Sequence, residues 1–211
     1  MPSPNLPLKG EEPRQKHMPK KASYHHGNLR AALLAAALDI LETEGLHALT
    51  LRKVAAKARV SHAAPAHHFP NLKALQTALA VIAFERFSES MAAARERAKK
   101  DPATQVRAAS DGYLSFARAN PALFRLMFQE NQLDWSDPSL KQAGEASFRH
   151  LVEITAPLAD QLGLKTQQER QELERLVWSS AHGFAHLHTD GKMETASPPD
   201  LARFLLPRKT K

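Results

Sequence analysis

Between Gly45 and Pro70 the chain has room for two short helices, a tight turn and little else. A Gly just past the last turn of a helix takes up the left-handed conformation that ends it, and a Pro inside a helix removes a hydrogen bond and breaks it. Within those limits Thr50 is a good N-cap for a helix from Leu51 to Ala58, whose Leu51, Val54, Ala55 and Ala58 share one face. Arg59 and Val60 form the turn. Ser61 reads as a second N-cap, and a helix of barely two turns, His62 to His68, ends at Phe69–Pro70. The small apolar residues of the first helix let the second cross it closely, with Val60 as a plug at the crossing. This spacing predicts a helix-turn-helix, a unit whose second helix lies in the major groove of DNA with its first residues against base edges.

The flanking sequence is helical as well. Ahead of Gly45, Leu29, Leu33, Ala36, Ala37, Ile40 and Leu41 fall on one helical face. Beyond Pro70, Asn71 caps a long helix carrying Leu75, Leu79 and Ile82, predicted to run to Lys99–Lys100, where Asp101–Pro102 stops it. Further helices are predicted over Thr104–Ala119, Ala122–Phe128, from Pro138 with a kink at Pro157 to a stop at Gly163, and from the capping box Thr166–Glu169 to Gly191. A last one starts at Ser197–Pro198. No stretch alternates as a strand would. The expectation is an all-α chain of about nine helices: a disordered basic arm over 1–22, a three-helix helix-turn-helix domain over 23–70, a C-terminal helical bundle over 71–206, and a loose tail over 207–211.

Charge and composition narrow the function. Residues 1–75 carry 11 Lys/Arg against 5 Asp/Glu, whereas residues 76–211 carry 18 against 17, so nearly all of the net charge of +7 belongs to the N-terminal end. Such a local excess attracts a phosphate backbone, although a solvated basic tail explains charge alone equally well. No apolar run reaches the ~18 residues of a membrane helix, and the first 30 residues hold no signal-like apolar block, so a cytoplasmic protein without membrane partners is expected. The absence of cysteine excludes disulfides, thiolate metal sites and a cysteine nucleophile. No Gly-rich phosphate loop, nucleophile elbow or paired acid–base motif is present, which leaves an enzyme reading without a residue to carry it. A purely architectural DNA binder would need basic surface along more of its length.

The stretch Leu-Thr-Leu-Arg-Lys-Val-Ala-Ala-Lys-Ala-Arg-Val-Ser from Leu49, followed by His-Ala-Ala-Pro-Ala-His-His-Phe-Pro-Asn-Leu-Lys-Ala-Leu and preceded by Glu44–Gly45, resembles the DNA-binding domain of tetracycline-repressor (TetR) type regulators. The resemblance covers about fifty residues, Leu29 to Leu79. It implies that Ser61, His62, Ala63, Ala64 and Ala66 lie on the recognition helix, that His67 and His68 face phosphates or bases, and that Lys73 contacts phosphate. Thr50 and Arg52 would touch the backbone from the preceding helix. Because alanines offer no hydrogen bonds, hydrogen-bonded readout would have to come from His62, His67, neighbouring side chains or the Lys20–Lys21 arm in a minor groove. Three positions depart from the family pattern. Arg59 stands where Gly is usual, in a turn that often needs positive φ, at a strain cost of about 1 kcal/mol. Ala66 stands where Tyr is usual, and Pro65 at the fourth helical position favours a tighter turn.

The segment Phe116–Phe128, with Asn-Pro-Ala-Leu-Phe-Arg-Leu-Met-Phe, together with Trp178, His182 and Gly183, resembles the C-terminal domains of this family marked by a Trp-His-Gly signature. That resemblance implies a homodimer which binds double-stranded operator DNA, represses, and is released by a small apolar or amphipathic effector. Candidate pocket residues are Phe84, Phe87, Tyr113, Phe116, Met127, Phe128, Trp135, Phe148, Trp178 and His182, each of which an ordinary core also explains. Candidate dimer contacts are Leu176, Val177, Ser180, Phe184 and Leu187. The histidines His182, His186 and His188, and the pairs His25–His26 and His67–His68, raise a metal reading. With no thiolate and no HExxH arrangement, neither a metal nor any other cofactor is expected.

Overall fold

Glycines and prolines divide the chain much as their spacing predicts. The computed structural model describes residues 29–194 and 197–206; the expected arm with Lys20 and Lys21, the His25–His26 pair and the tail from 207 lie outside the described residues. Among the described residues there are eight α-helices, three short 3-10 segments and no strand. Helix α1, Leu29–Glu44, ends at Gly45, whose φ of 83° only glycine adopts freely. After a 3-10 turn, α2 covers Leu51–Lys57, and α3, Leu72–Arg97, starts where the Asn71 side chain accepts a hydrogen bond from Ala74 N–H at 2.9 Å.

Helix α4, Pro102–Ala119, begins two residues ahead of the predicted start because a Pro at the first helical position has no hydrogen bond to lose. A short α5, Pro121–Leu126, is followed by a link whose Asp134 N–H donates to Thr77 Oγ1 on α3 at 2.9 Å. Helix α6, Pro138–Gln161, carries Pro157 inside it. The Thr166–Glu169 capping box opens α7, Gln167–Thr189, and α8 is confined to Leu201–Leu205, starting later than Ser197–Pro198.

One apolar cluster joins α1, α3, α4, α5 and α7 through Leu33, Ile40, Leu75, Leu79, Leu114, Phe124 and Phe184, so the helix-turn-helix and the C-terminal body share a core. Fully buried side chains of this size contribute ~1.5–3 kcal/mol each. A second cluster, Val106, Ile154, Leu158, Leu173 and Val177, closes the far end, with Leu201 and Leu205 of α8 packed on it. Helices α3 and α4 meet closely at Gly112. A Cβ there would lie 2.7 Å from both Met91 Cα and Ser90 O, and Ser90 Oγ donates to the Gly112 carbonyl at 2.8 Å.

Candidate DNA interface and apolar cavity

Local chemistry shapes the helix-turn-helix. Thr50 Oγ1 accepts from Lys53 N–H at 3.1 Å and starts α2. At the other end, Arg59 N–H bonds to Ala56 O at 3.1 Å and Val60 N–H to Ala55 O at 3.0 Å. This pair of bonds requires a left-handed residue between them, and Arg59 supplies it at φ 56°, the single positive φ at a non-glycine residue among those described. An L-residue with a full side chain there costs about 1 kcal/mol. Val60 follows, half-buried against the core.

The segment after the turn differs from the expected α-helix. Residues Ala64–His67 form a 3-10 helix, with Ala66 N–H bonded to Ala63 O at 3.2 Å and His68 N–H to Pro65 O at 3.0 Å. Pro65, buried, has no N–H to donate to Ser61 O; that carbonyl accepts from Ala64 instead, and the winding tightens to a three-residue step. The cap position falls on Ala63, which has no side-chain acceptor, and not on Ser61. Counting this segment as α gives the expected nine helices; its 3-10 form leaves eight. Phe69 seals the exit at 2% exposure, with the Arg30 guanidinium 5.5 Å from its ring centre.

Thr50, Arg52, Ser61, His62, Ala63, Ala66, His67 and Lys73 are exposed, and Ala64 and His68 are half-buried, while Leu49, Val54, Ala55, Pro65 and Phe69 are turned inward. Two lysines that sequence leaves undistinguished from the rest are taken up at home: Lys53 pairs with Glu44 and Lys57 with Asp39, tying α2 to α1. Arg52 and Arg59 form no ion pair among the described residues, and the charge of Lys73 acts on Asp134. Arg59 therefore joins the exposed cations beside the turn, a position the sequence marks only as a departure from glycine.

In the C-terminal body a cavity of about 300 Å³ lies between α3, α4, α6 and α7. Seven of the ten candidate pocket residues border it: Phe84, Phe87, Tyr113, Phe128, Trp135, Phe148 and Trp178. Phe116 and Met127 do not; they are buried in the core at 3% and 0% exposure, with Phe116 packed edge-on against Phe87. His182 stands behind the wall. Its ring centre is 4.6 Å from that of Phe128, and its Nδ1 shares a hydrogen bond of 2.6 Å with the Tyr113 hydroxyl. Burial, and secondarily the neighbouring His186, hold the His182 imidazole down to about 4, and burial raises the Tyr113 hydroxyl above the ordinary tyrosine range. The wall also includes small residues that no apolar pattern singles out, Gly144, Ser147, Ala109 and Ala181. They line the space by failing to fill it.

The candidate dimer residues divide. Leu176 and Leu187 are exposed at 42% and 43% and Ser180 is half-buried, but Val177 and Phe184 are turned into their own protomer, at 5% and 7%. Val177 borders the cavity and Phe184 belongs to the main core. Among the described residues no group of three or more His, Asp or Glu could hold a metal ion, and no helix is long and apolar enough to cross a membrane.

An exposed helix-turn-helix on a helical body that contains an apolar cavity is the architecture of a DNA-binding regulator. Residues 33–79 match the model of bacterial regulatory proteins of the tetR family, and residues 106–206 match the tetracyclin repressor-like C-terminal domain. A protein of unknown function from Rhodococcus sp. RHA1 is 33% identical, with 85% of this chain and 91% of that one covered and a TM-score of 0.70. The same fold is seen in a TetR-like transcriptional regulator from Rhodococcus sp. RHA1 (22% identity, 79% and 86% covered, TM-score 0.56). It is seen again in a TetR family transcription regulator from Marinobacter aquaeolei VT8 (19%, 80% and 87%, 0.59). No curated protein matches the chain. The chain belongs to the TetR family of DNA-binding transcription regulators.

Proposed function

We propose that the protein is a homodimeric repressor that binds a two-fold operator through Ala63–His68 and is released when a small molecule enters the C-terminal cavity. The observation that carries this reading is the division of the helix-turn-helix into a buried face and an exposed one, with Arg52, His62, His67 and Lys73 on the exposed side. Because the exposed face is rich in alanine, which can offer only van der Waals contact to thymine methyls, hydrogen-bonded readout falls to His62 and His67. Arg52 and Lys73, with Arg59 between them in sequence, supply phosphate contacts. Two copies would hold their recognition segments roughly 34–36 Å apart, one DNA turn.

The dimer face is the outer stripe of α7, Leu176, Ser180, Gly183 and Leu187, at the helical spacing i, i+4, i+7 and i+11. Coupling runs through α5. Phe128 borders the cavity and meets Phe124 edge-on at 5.5 Å; Phe124 is fully buried, and α5 packs against α1, which carries α2 through the Lys53 and Lys57 ion pairs. A coupling of 1–3 kcal/mol between cavity and DNA is enough to regulate.

The experiment is a salt series of affinities for specific and random DNA. Arg52→Ala and Lys73→Ala weaken both about equally and lower the salt slope by about 1 each, whereas His67→Ala weakens specific DNA more than random. Unchanged affinity in all three variants would place the DNA surface elsewhere.

A further inference from the structure

We infer that the cavity takes an uncharged, ring-bearing molecule of about two fused rings and rejects organic ions; this rests on the reading of the cavity as the effector site. Three observations lead there. Among the residues that border it, Tyr113 alone can ionise, and no Lys, Arg, His, Asp or Glu is present to neutralise a carboxylate or an ammonium. The three hydroxyls on its wall are already engaged: Tyr113 with His182 Nδ1 at 2.6 Å, Ser147 with Ser88 Oγ at 2.9 Å, and Ser110 with the Val106 carbonyl at 3.1 Å. A carboxylate would lose its hydration and meet no cationic side chain, and an ammonium would find ring faces but no carboxylate to pair it, so either charge enters this apolar site at a cost.

Size and shape give the rest. An apolar cavity of about 150 Å³ holds benzene, and this one has about 300 Å³, room for two such rings. Both tryptophans and four of the nine phenylalanines border it, so ring faces and edges are available on several sides. Gly144 leaves part of the space open, since a Cβ there would meet no atom within 4 Å.

The test uses three probes of one shape: naphthalene, 1-naphthoate and 1-naphthylmethylammonium, titrated into the full-length protein with tryptophan fluorescence and thermal midpoint as readouts. Naphthalene is expected to quench the fluorescence and raise the midpoint, with both ions about 100-fold weaker or worse. Gly144→Leu is expected to lose naphthalene at least about tenfold while keeping its helical circular dichroism, because the side chain is added where a Cβ meets no atom within 4 Å. Equal or tighter binding of either ion overturns the inference and leaves the effector reading standing. Undiminished naphthalene affinity in Gly144→Leu, or no binding of any probe, also overturns it. Naphthalene that binds in the cavity and leaves DNA affinity unchanged supports the site and refutes its part in DNA release.

Discussion

The Tyr113 hydroxyl lies 2.6 Å from Nδ1 of His182, a hydrogen bond that joins α4 to α7 behind the wall of the cavity. The His182 ring is half-buried against Phe124, Phe128 and Trp178, and among the described residues His186 and Tyr113 are its titratable neighbours. These contacts make the protonation of one residue depend on the packing of the C-terminal body.

Stability should therefore depend on pH in a definite direction. In the unfolded chain a histidine takes up its proton near pH 6.5, whereas burial keeps His182 neutral down to about 4. Between those values the unfolded state binds the extra proton, so the contribution of His182 is complete above about pH 6.5 and is lost as the pH falls toward 4. Thermal midpoints measured from pH 7.5 to 4.5 should fall more steeply for the natural protein than for His182→Gln. Parallel curves would show that His182 is not the group responsible.

Arg59→Gly should stabilise the protein by about 1 kcal/mol, since glycine adopts a φ of 56° without a side-chain penalty. Urea unfolding should show a higher midpoint with an unchanged slope. A lower midpoint would mean that the arginine side chain contributes more than its backbone costs.

Gly112→Ala should destabilise by about 1–3 kcal/mol, because the new methyl group would meet the backbone of Met91 and Ser90, not a flexible side-chain end. The same unfolding measurement checks it. A neutral result would show that α3 and α4 separate without cost.

On α7, the double substitution Leu176→Glu and Leu187→Glu should convert a dimer into a folded monomer in sedimentation velocity, since both residues are exposed in the protomer. A dimer that survives both changes would move the interface off this stripe.

How far the sequence could be read follows from what each residue does. Caps and breakers act locally, so Thr50, Asn71, the Thr166–Glu169 box and Gly45 mark helix ends that the structure keeps. Arg59 was legible through the resemblance, as a residue standing where the family usually has Gly, and the two backbone hydrogen bonds beside it give the reason that a left-handed residue is needed. The effect of Pro65 was legible only in part. Its missing N–H foretells a tighter turn but not that the whole segment adopts the 3-10 form.

Periodicity shows that a residue is apolar and not which neighbour it faces. The broad face of α7 thus concealed that Val177 and Phe184 turn into the protomer while Leu176 and Leu187 turn out. Phe116 and Met127 carry the same signal as the cavity residues and belong to the core. Gly144, Ser147 and Ala181 were invisible because their part in the cavity is the volume they leave empty.

The central claim is sequence-specific binding by a dimer, and selection of bound sites from random double-stranded DNA tests it most directly. The expected result is a palindromic or nearly palindromic site bound about a thousandfold or more tightly than random DNA, with half-sites about one helical turn apart. Selection that yields no shared sequence, with weak binding set by salt alone, would contradict it.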